Sequence, residues 1–190
     1  MKRLYTGFVL ILLFTSCTKR DLSAPHTGPA VAAISQIAAP AAPVATPWER
    51  PAAWTRAVTT NGSIRYSSTS AITALEPSRT ENGLVLTFAK GYNLETPALE
   101  KPVGMPFQLY ALGARTEAPL QWASESRPGS ATVSVTLPAA DEKLFEHGRN
   151  AVEIRHIVLS AEASAATGKT AMDLRNLPYT ELCALLGIAK

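Results

Sequence analysis

The most regular stretch of the chain is Ala131-Thr-Val-Ser-Val-Thr-Leu137, where apolar and hydroxyl residues alternate without a break. A period of two sends successive side chains to opposite faces, so the segment predicts a strand with one dry and one wet face. Gly83-Leu-Val-Leu-Thr-Phe88 and Phe107-Gln-Leu-Tyr-Ala-Leu112 are strand-like and more continuously apolar. Across Ala151–Ser160, Val152, Ile154, His156 and Val158 fall on one face, and Glu153, Arg155, Ile157 and Leu159 on the other. That pattern predicts a strand covered on both sides toward its far end. Leu120-Gln-Trp-Ala123, after Pro119, predicts a further short strand. Between Trp54–Thr60 and Ser63–Thr69 stands Asn61-Gly62, a pair suited to the two positive-φ positions of a type I′ hairpin turn.

Within residues 48–190, helical spacing is found in two places. Tyr179, Leu182, Leu185 and Leu186 share a face, Pro178 suits the first turn and Gly187 the end. Ala140-Asp-Glu-Lys-Leu-Phe-Glu-His147, following Pro138, predicts a solvated helical turn. Many strands with one terminal helix predict a mainly β chain, an antiparallel β-sandwich-like domain closed by a short C-terminal helix.

Upstream of that domain the pattern changes twice. Lys2 and Arg3 precede an unbroken apolar run, Phe8–Phe14, and then Thr15, Ser16 and Cys17. The run is too short for a membrane span, which needs roughly 20 residues, and reads as a secretion signal. With a cysteine at its edge it resembles a bacterial lipoprotein signal, which implies cleavage after Ser16 and lipid on the Cys17 thiol and its new amine. Phe14 departs from the Leu, Val or Ile usual at that place. Residues 17–47 are Ala- and Pro-rich, with Pro25, Pro29, Pro40, Pro43 and Pro47. So little apolar and aromatic surface cannot offset ordering entropy, which predicts a disordered, partly extended tether, with Val31–Ala39 a candidate short helix. The expected organisation is signal 1–16, lipidated Cys17 and tether 17–47, and domain 48–190.

The charge balance narrows the partners. The whole chain carries 18 basic and 15 acidic residues, but Lys2 and Arg3 leave with the signal, so the mature chain is nearly neutral. No basic face of the kind nucleic acid requires is evident, and no nucleic-acid partner is expected. Lys19 and Arg20 lie beside the lipid site and suit either anionic headgroups or a solvated spacer. Cys17 and Cys183 are the two cysteines. With Cys17 lipidated, Cys183 lacks an intramolecular partner, and its apolar run, Leu182–Leu186, predicts a buried structural thiol.

Trp54, Ser70-Ala-Ile-Thr73 and Gly83-Leu-Val-Leu-Thr-Phe-Ala-Lys90 together resemble the start of an uncharacterised secreted β-rich domain family of Bacteroidetes. Ile154–Leu159, Met172–Tyr179 and Leu186-Gly-Ile188 match its later strand and closing segment, so the resemblance covers about residues 54–188. It implies an extracytoplasmic β-domain and carries no catalytic positions. His156 stands where the family has an aromatic.

Few residues suggest chemistry. Gly168-Lys-Thr170 echoes the end of a phosphate-binding loop, but position 163 is Ala where glycine is required, so a turn is expected. His26, His147 and His156 have no zinc spacing, and no cofactor or metal is expected. His156 is expected to be a satisfied, half-buried strand residue. Asp141, Glu142 and Glu146 are a weak acid/base set. The better candidate is a glycan site: Trp122 and Tyr110 as flat apolar faces, with Gln121 and Arg127 bonding hydroxyls. Gln121 joins only if this stretch is irregular, since adjacent strand residues face opposite ways, and core or ordinary surface roles compete for both aromatics. Trp48, at the tether junction, is placed to dock the arm. The reading is a lipid-anchored envelope protein with a non-enzymatic binding or structural domain. A glycan-binding accessory role and an enzyme without a recognisable motif are the alternatives. With Thr18 after the lipid site, the outer membrane is the favoured address, and glycans or envelope proteins the favoured partners.

Overall fold

The structure, a computed structural model, describes residues 41–75, 83–92, 99–110 and 113–190. The signal, Cys17, the candidate helix Val31–Ala39 and the tether through Pro40 lie outside the described residues. So do Ala111 and Leu112 of one expected strand.

The chain is mainly β, built on two antiparallel sheets. One has four strands, in the order β1 (Val44–Ala45), β9 (Glu153–Leu159), β4 (Leu84–Lys90), β5 (Val103–Gly104). The other has five: β2 (Thr55–Val58), β3 (Ile64–Ala71), β8 (Ser130–Leu137), β7 (Leu120–Arg127), β6 (Phe107–Leu109). The described residues also hold four short α-helices, α1 (Glu142–Gly148), α2 (Ala161–Ala166), α3 (Ala171–Asn176) and α4 (Tyr179–Leu186), with a 3-10 turn on either side of α1.

Strand alternation explains how the layers stack. On β3, β8 and β7 the residues Ile64, Tyr66, Val133, Val135, Leu120 and Trp122 point to one side, where they meet Ala89 and Ile154 of the four-stranded sheet. The opposite set on that sheet, Leu84, Leu86, Phe88, Ile157 and Leu159, packs on Leu174, Tyr179, Leu182 and Cys183 of α3 and α4. The four-stranded sheet is therefore covered on both faces, and all of β9 but Glu153 is buried. Phe145 of α1 joins the inter-sheet core beside Tyr66, Tyr92 and Trp122. Cys183 is a buried free thiol. Among the described residues no helix is long and apolar enough to cross a membrane.

The β2–β3 hairpin forms as expected, with Val58 opposite Ile64. Its turn differs. The Gly62 amide donates to the Thr59 carbonyl at 3.0 Å, so Thr60 and Asn61 occupy the central places and Gly62, at φ 82°, closes the turn. The glycine is needed for the left-handed closing residue instead of a type I′ centre. α4 ends at Gly187, with φ 65°, as its sequence predicts.

Two expectations need correction. The domain does not start at Trp48: Val44 and Ala45 already pair with Val158 and Ile157, so the first strand lies inside the segment read as tether. Nor is the segment after Pro138 wholly solvated. Asp141 is buried and accepts hydrogen bonds from the Arg115 amide and the Thr116 hydroxyl, two groups that the flanking loop would otherwise leave unpaired.

Candidate functional site: a cleft between the sheets

The glycan site expected from the sequence does not assemble. Trp122 is 1 % exposed, stacked on Phe107 at 5.4 Å and met edge-on by Trp54, Tyr92 and Phe145. Its alternation partner is Leu120, and both fill the inter-sheet core, so Trp122 presents no face to a sugar. Its Nε1 has no hydrogen-bond partner among the described residues. Gln121 points to the opposite, exposed face of β7, and Arg127 sits at the far end of that strand, paired with Glu125 at 2.9 Å. Tyr110, 65 % exposed, lies beyond β6. A tryptophan on a short apolar strand is core unless something else draws it out, and nothing in Leu120–Ala123 does.

The weak carboxylate set is also structural. Glu142 forms an ion pair with Arg56 and accepts the Tyr66 hydroxyl at 2.7 Å, while Glu146 lies 3.2 Å from the same hydroxyl. The hydrogen bond from Arg56, then that from Tyr66, holds the Glu142 carboxyl down at about 2. Burial is the first cause pushing the Tyr66 phenol above its ordinary value. Arg56 and Glu142 thus staple the β2 edge to α1. Among the described residues no group of three or more His, Cys, Asp or Glu could hold a metal ion. Gly168 has φ 66° in the turn expected there, and Thr170 caps α3.

One buried polar feature that opens onto a cavity is at the β1 edge. A cleft of about 290 Å³ runs between that edge and the end of β3, lined by Thr46, Glu49, Ser70, Ile72, Ile154 and His156 among others. His156 is 4 % exposed, deeper than the half-burial expected for it. Its Nδ1 lies 3.0 Å from the Thr87 hydroxyl on β4, its neighbour in register. Burial pushes the imidazole down to about 4, so the ring is neutral near pH 7 and can donate or accept.

A β-bulge shapes this edge. Val44 and Ala45 oppose Val158 and Ile157, and the Thr46 amide donates to the His156 carbonyl at 2.9 Å. Pairing resumes at Glu49, which exchanges both backbone bonds with Ile154 at 2.8 and 3.0 Å. Two residues, Pro47 and Trp48, thus stand against one, Arg155. Proline has no amide to give a ladder and is at home in a bulge. The extra residue also reverses the alternation downstream of it. Trp48 turns toward the helices, 5.5 Å from the Tyr179 ring, docking the entering chain as its position suggested. Glu49 turns to the cleft face beside Ile154. Sequence reasoning missed Glu49, for which Pro47 was the available signal.

On the helix side of the same bulge, the Arg155 guanidinium donates to the Thr46 and Ala189 carbonyls, both at 2.8 Å, and to the Tyr179 hydroxyl. Comparison with protein-family models, curated proteins and solved structures returns no match.

Proposed function

We propose that the protein is a lipid-anchored cell-envelope protein whose β-domain binds or supports a partner and does not catalyse a reaction. The observation that carries this reading is the order Lys2-Arg3, apolar Phe8–Phe14, Thr15-Ser16-Cys17. Thr18 after the cysteine favours the outer membrane, and the Bacteroidetes resemblance accords with an extracytoplasmic setting. Three charged groups of the domain support the non-catalytic part: Asp141, Glu142 and Arg155 are each held by neighbours within the fold. His156 has a threonine hydroxyl, not a carboxylate, at its Nδ1, which suits hydrogen bonding to a ligand better than proton transfer. The partner classes to screen are envelope proteins and glycans, the latter at a face other than Trp122.

Labelling of growing cells with radioactive palmitate tests the anchor. The wild type is expected to take up label and pellet with membranes, and Cys17→Ser to lose both while the domain stays folded. A signal-cleaved Cys17→Ser form that still pellets would overturn the lipid as anchor. Protease treatment of intact and lysed cells then tells whether the domain faces the exterior or the periplasm.

A further inference from the structure

The bulge at Pro47-Trp48 places a carboxylate where regular pairing would not. Without the extra residue, Glu49 would fall on the helix face with Arg155, and Trp48 on the cleft face. As built, Glu49 and Ile154 are directly opposed and share the cleft face. Bulges commonly re-aim a side chain beside a site, and here the re-aimed residue is the acid.

The rest of the cleft is suited to a slim, partly apolar guest. Val44, Ile72 and Ile154 supply aliphatic walls, Ser70 and His156 supply neutral polar groups, and among the described residues Glu49 is the one formally charged member of the lining. Glu49 makes no ion pair among the described residues, and its neighbour Arg50 is turned to Glu153 at 3.8 Å. The hydroxyl of Thr46 is already committed, accepting from the His156 amide at 3.0 Å and donating to the Pro47 carbonyl at 3.1 Å. A volume of about 290 Å³ falls at the lower edge of ordinary ligand pockets, so the guest is the size of a side chain, not of a drug. A negative guest would meet Glu49. A positive group on an aliphatic stem meets a carboxylate at the mouth and methyl groups within.

We infer that this cleft binds a primary aliphatic amine, the chemistry shared by a lysine side chain and a free alkylamine, with the ammonium group at Glu49 and the methylenes between Val44, Ile72 and Ile154. The inference rests on reading the domain as a binding module and does not depend on the lipid.

The test uses the whole mature chain, residues 17–190, carrying Cys17→Ser so that it stays in aqueous solution. Pentylamine is titrated in while the His156 ring protons are followed by NMR, assigned by their persistence in His26→Gln and His147→Gln variants. A saturable shift is expected, with pentan-1-ol at least tenfold weaker. Glu49→Gln should weaken pentylamine at least tenfold with its thermal unfolding unchanged, and Glu49→Lys should reverse the preference toward pentanoate. Equal binding of pentan-1-ol, unchanged affinity in Glu49→Gln, or no saturable shift in the wild type overturns the proposal. Nα-acetyl-lysine methylamide separates the two sources: tighter binding than pentylamine means a lysine of a polypeptide, weaker binding a free amine. Loss of amine binding would leave the palmitate result untouched, and a failed palmitate result would leave the amine site standing.

Discussion

Thr46 and His156 face each other across the β1–β9 edge and bond twice, Thr46 amide to His156 carbonyl at 2.9 Å and His156 amide to Thr46 hydroxyl at 3.0 Å. On its other flank His156 meets the Thr87 hydroxyl at 3.0 Å. The backbone of His156 thus holds the first strand, while its buried imidazole bonds β4 through Thr87, and the ring's charge state bears on that second tie.

That tie predicts a pH dependence. Burial lowers the folded-state pKa of His156 to about 4, against an ordinary 6.5. Between those values the unfolded chain binds the extra proton, so stability is full above about pH 6.5 and falls as pH drops toward 4. The loss reaches about 3 kcal/mol at the bottom of that window. Thermal unfolding of the wild type and His156→Gln across pH 4–7 checks this: the wild-type slope should flatten in the variant. Parallel slopes would refute it.

Arg155 is 8 % exposed and makes three directed bonds, a geometry that suits a planar fork and not an ammonium. Arg155→Lys keeps the charge but cannot serve two part-buried carbonyls and the Tyr179 hydroxyl at once, and is expected to cost about 1–2 kcal/mol in urea unfolding. A cost below about 0.5 kcal/mol would mean that these bonds contribute nothing net.

Gly91 and Gly62 both have positive φ but differ in surroundings. A Cβ at Gly91 would lie 2.4 Å from the Ala151 carbonyl oxygen, whereas one at Gly62 meets nothing within 4 Å. Gly62→Ala should therefore cost about 1 kcal/mol of backbone strain alone. Gly91→Ala should cost several times that, because backbone must move. Denaturation curves of the two variants side by side decide it; equal losses would contradict the close approach at Gly91.

Trp122, enclosed by four aromatic rings, should resist acrylamide quenching in the native state, and Trp122→Ala should cost about 3–5 kcal/mol. Trp54→Phe and Trp48→Phe variants isolate the Trp122 emission. Easy quenching there would contradict the burial of Trp122 and make its ring available as an exposed platform.

Strict alternation made β8 legible, and the two-sided apolar pattern of Ala151–Ser160 announced the doubly covered β9. Elements whose identity comes from a partner were not legible. β1 is two residues of Pro/Ala-rich chain that become a strand because β9 offers an edge. The six-residue helices α2 and α3 are too short to show a period, although Ser160 and the Thr170–Asp173 capping box mark their starts. Trp122 illustrates a different limit: composition supplies a ring suited to a sugar, but burial decides whether a sugar can reach it. Glu49 is the converse, an unremarked acid whose direction depends on one bulge.

The Arg155 contacts also bring the opening and closing segments of the domain together. One guanidinium touches Thr46, just after the first strand, and Ala189, just past the last helix. Upstream of that contact, Ala41–Pro43 lie beside Leu185 and Leu186 of α4, so the first described residues and the last helix share one side of the domain. Joining those two ends with a short linker and reopening the chain at Asn61-Gly62 would then yield a permuted domain with the same sheets. It would also move the point of attachment to the β2–β3 tip, turning the cleft to a new orientation relative to whatever the chain is fastened to.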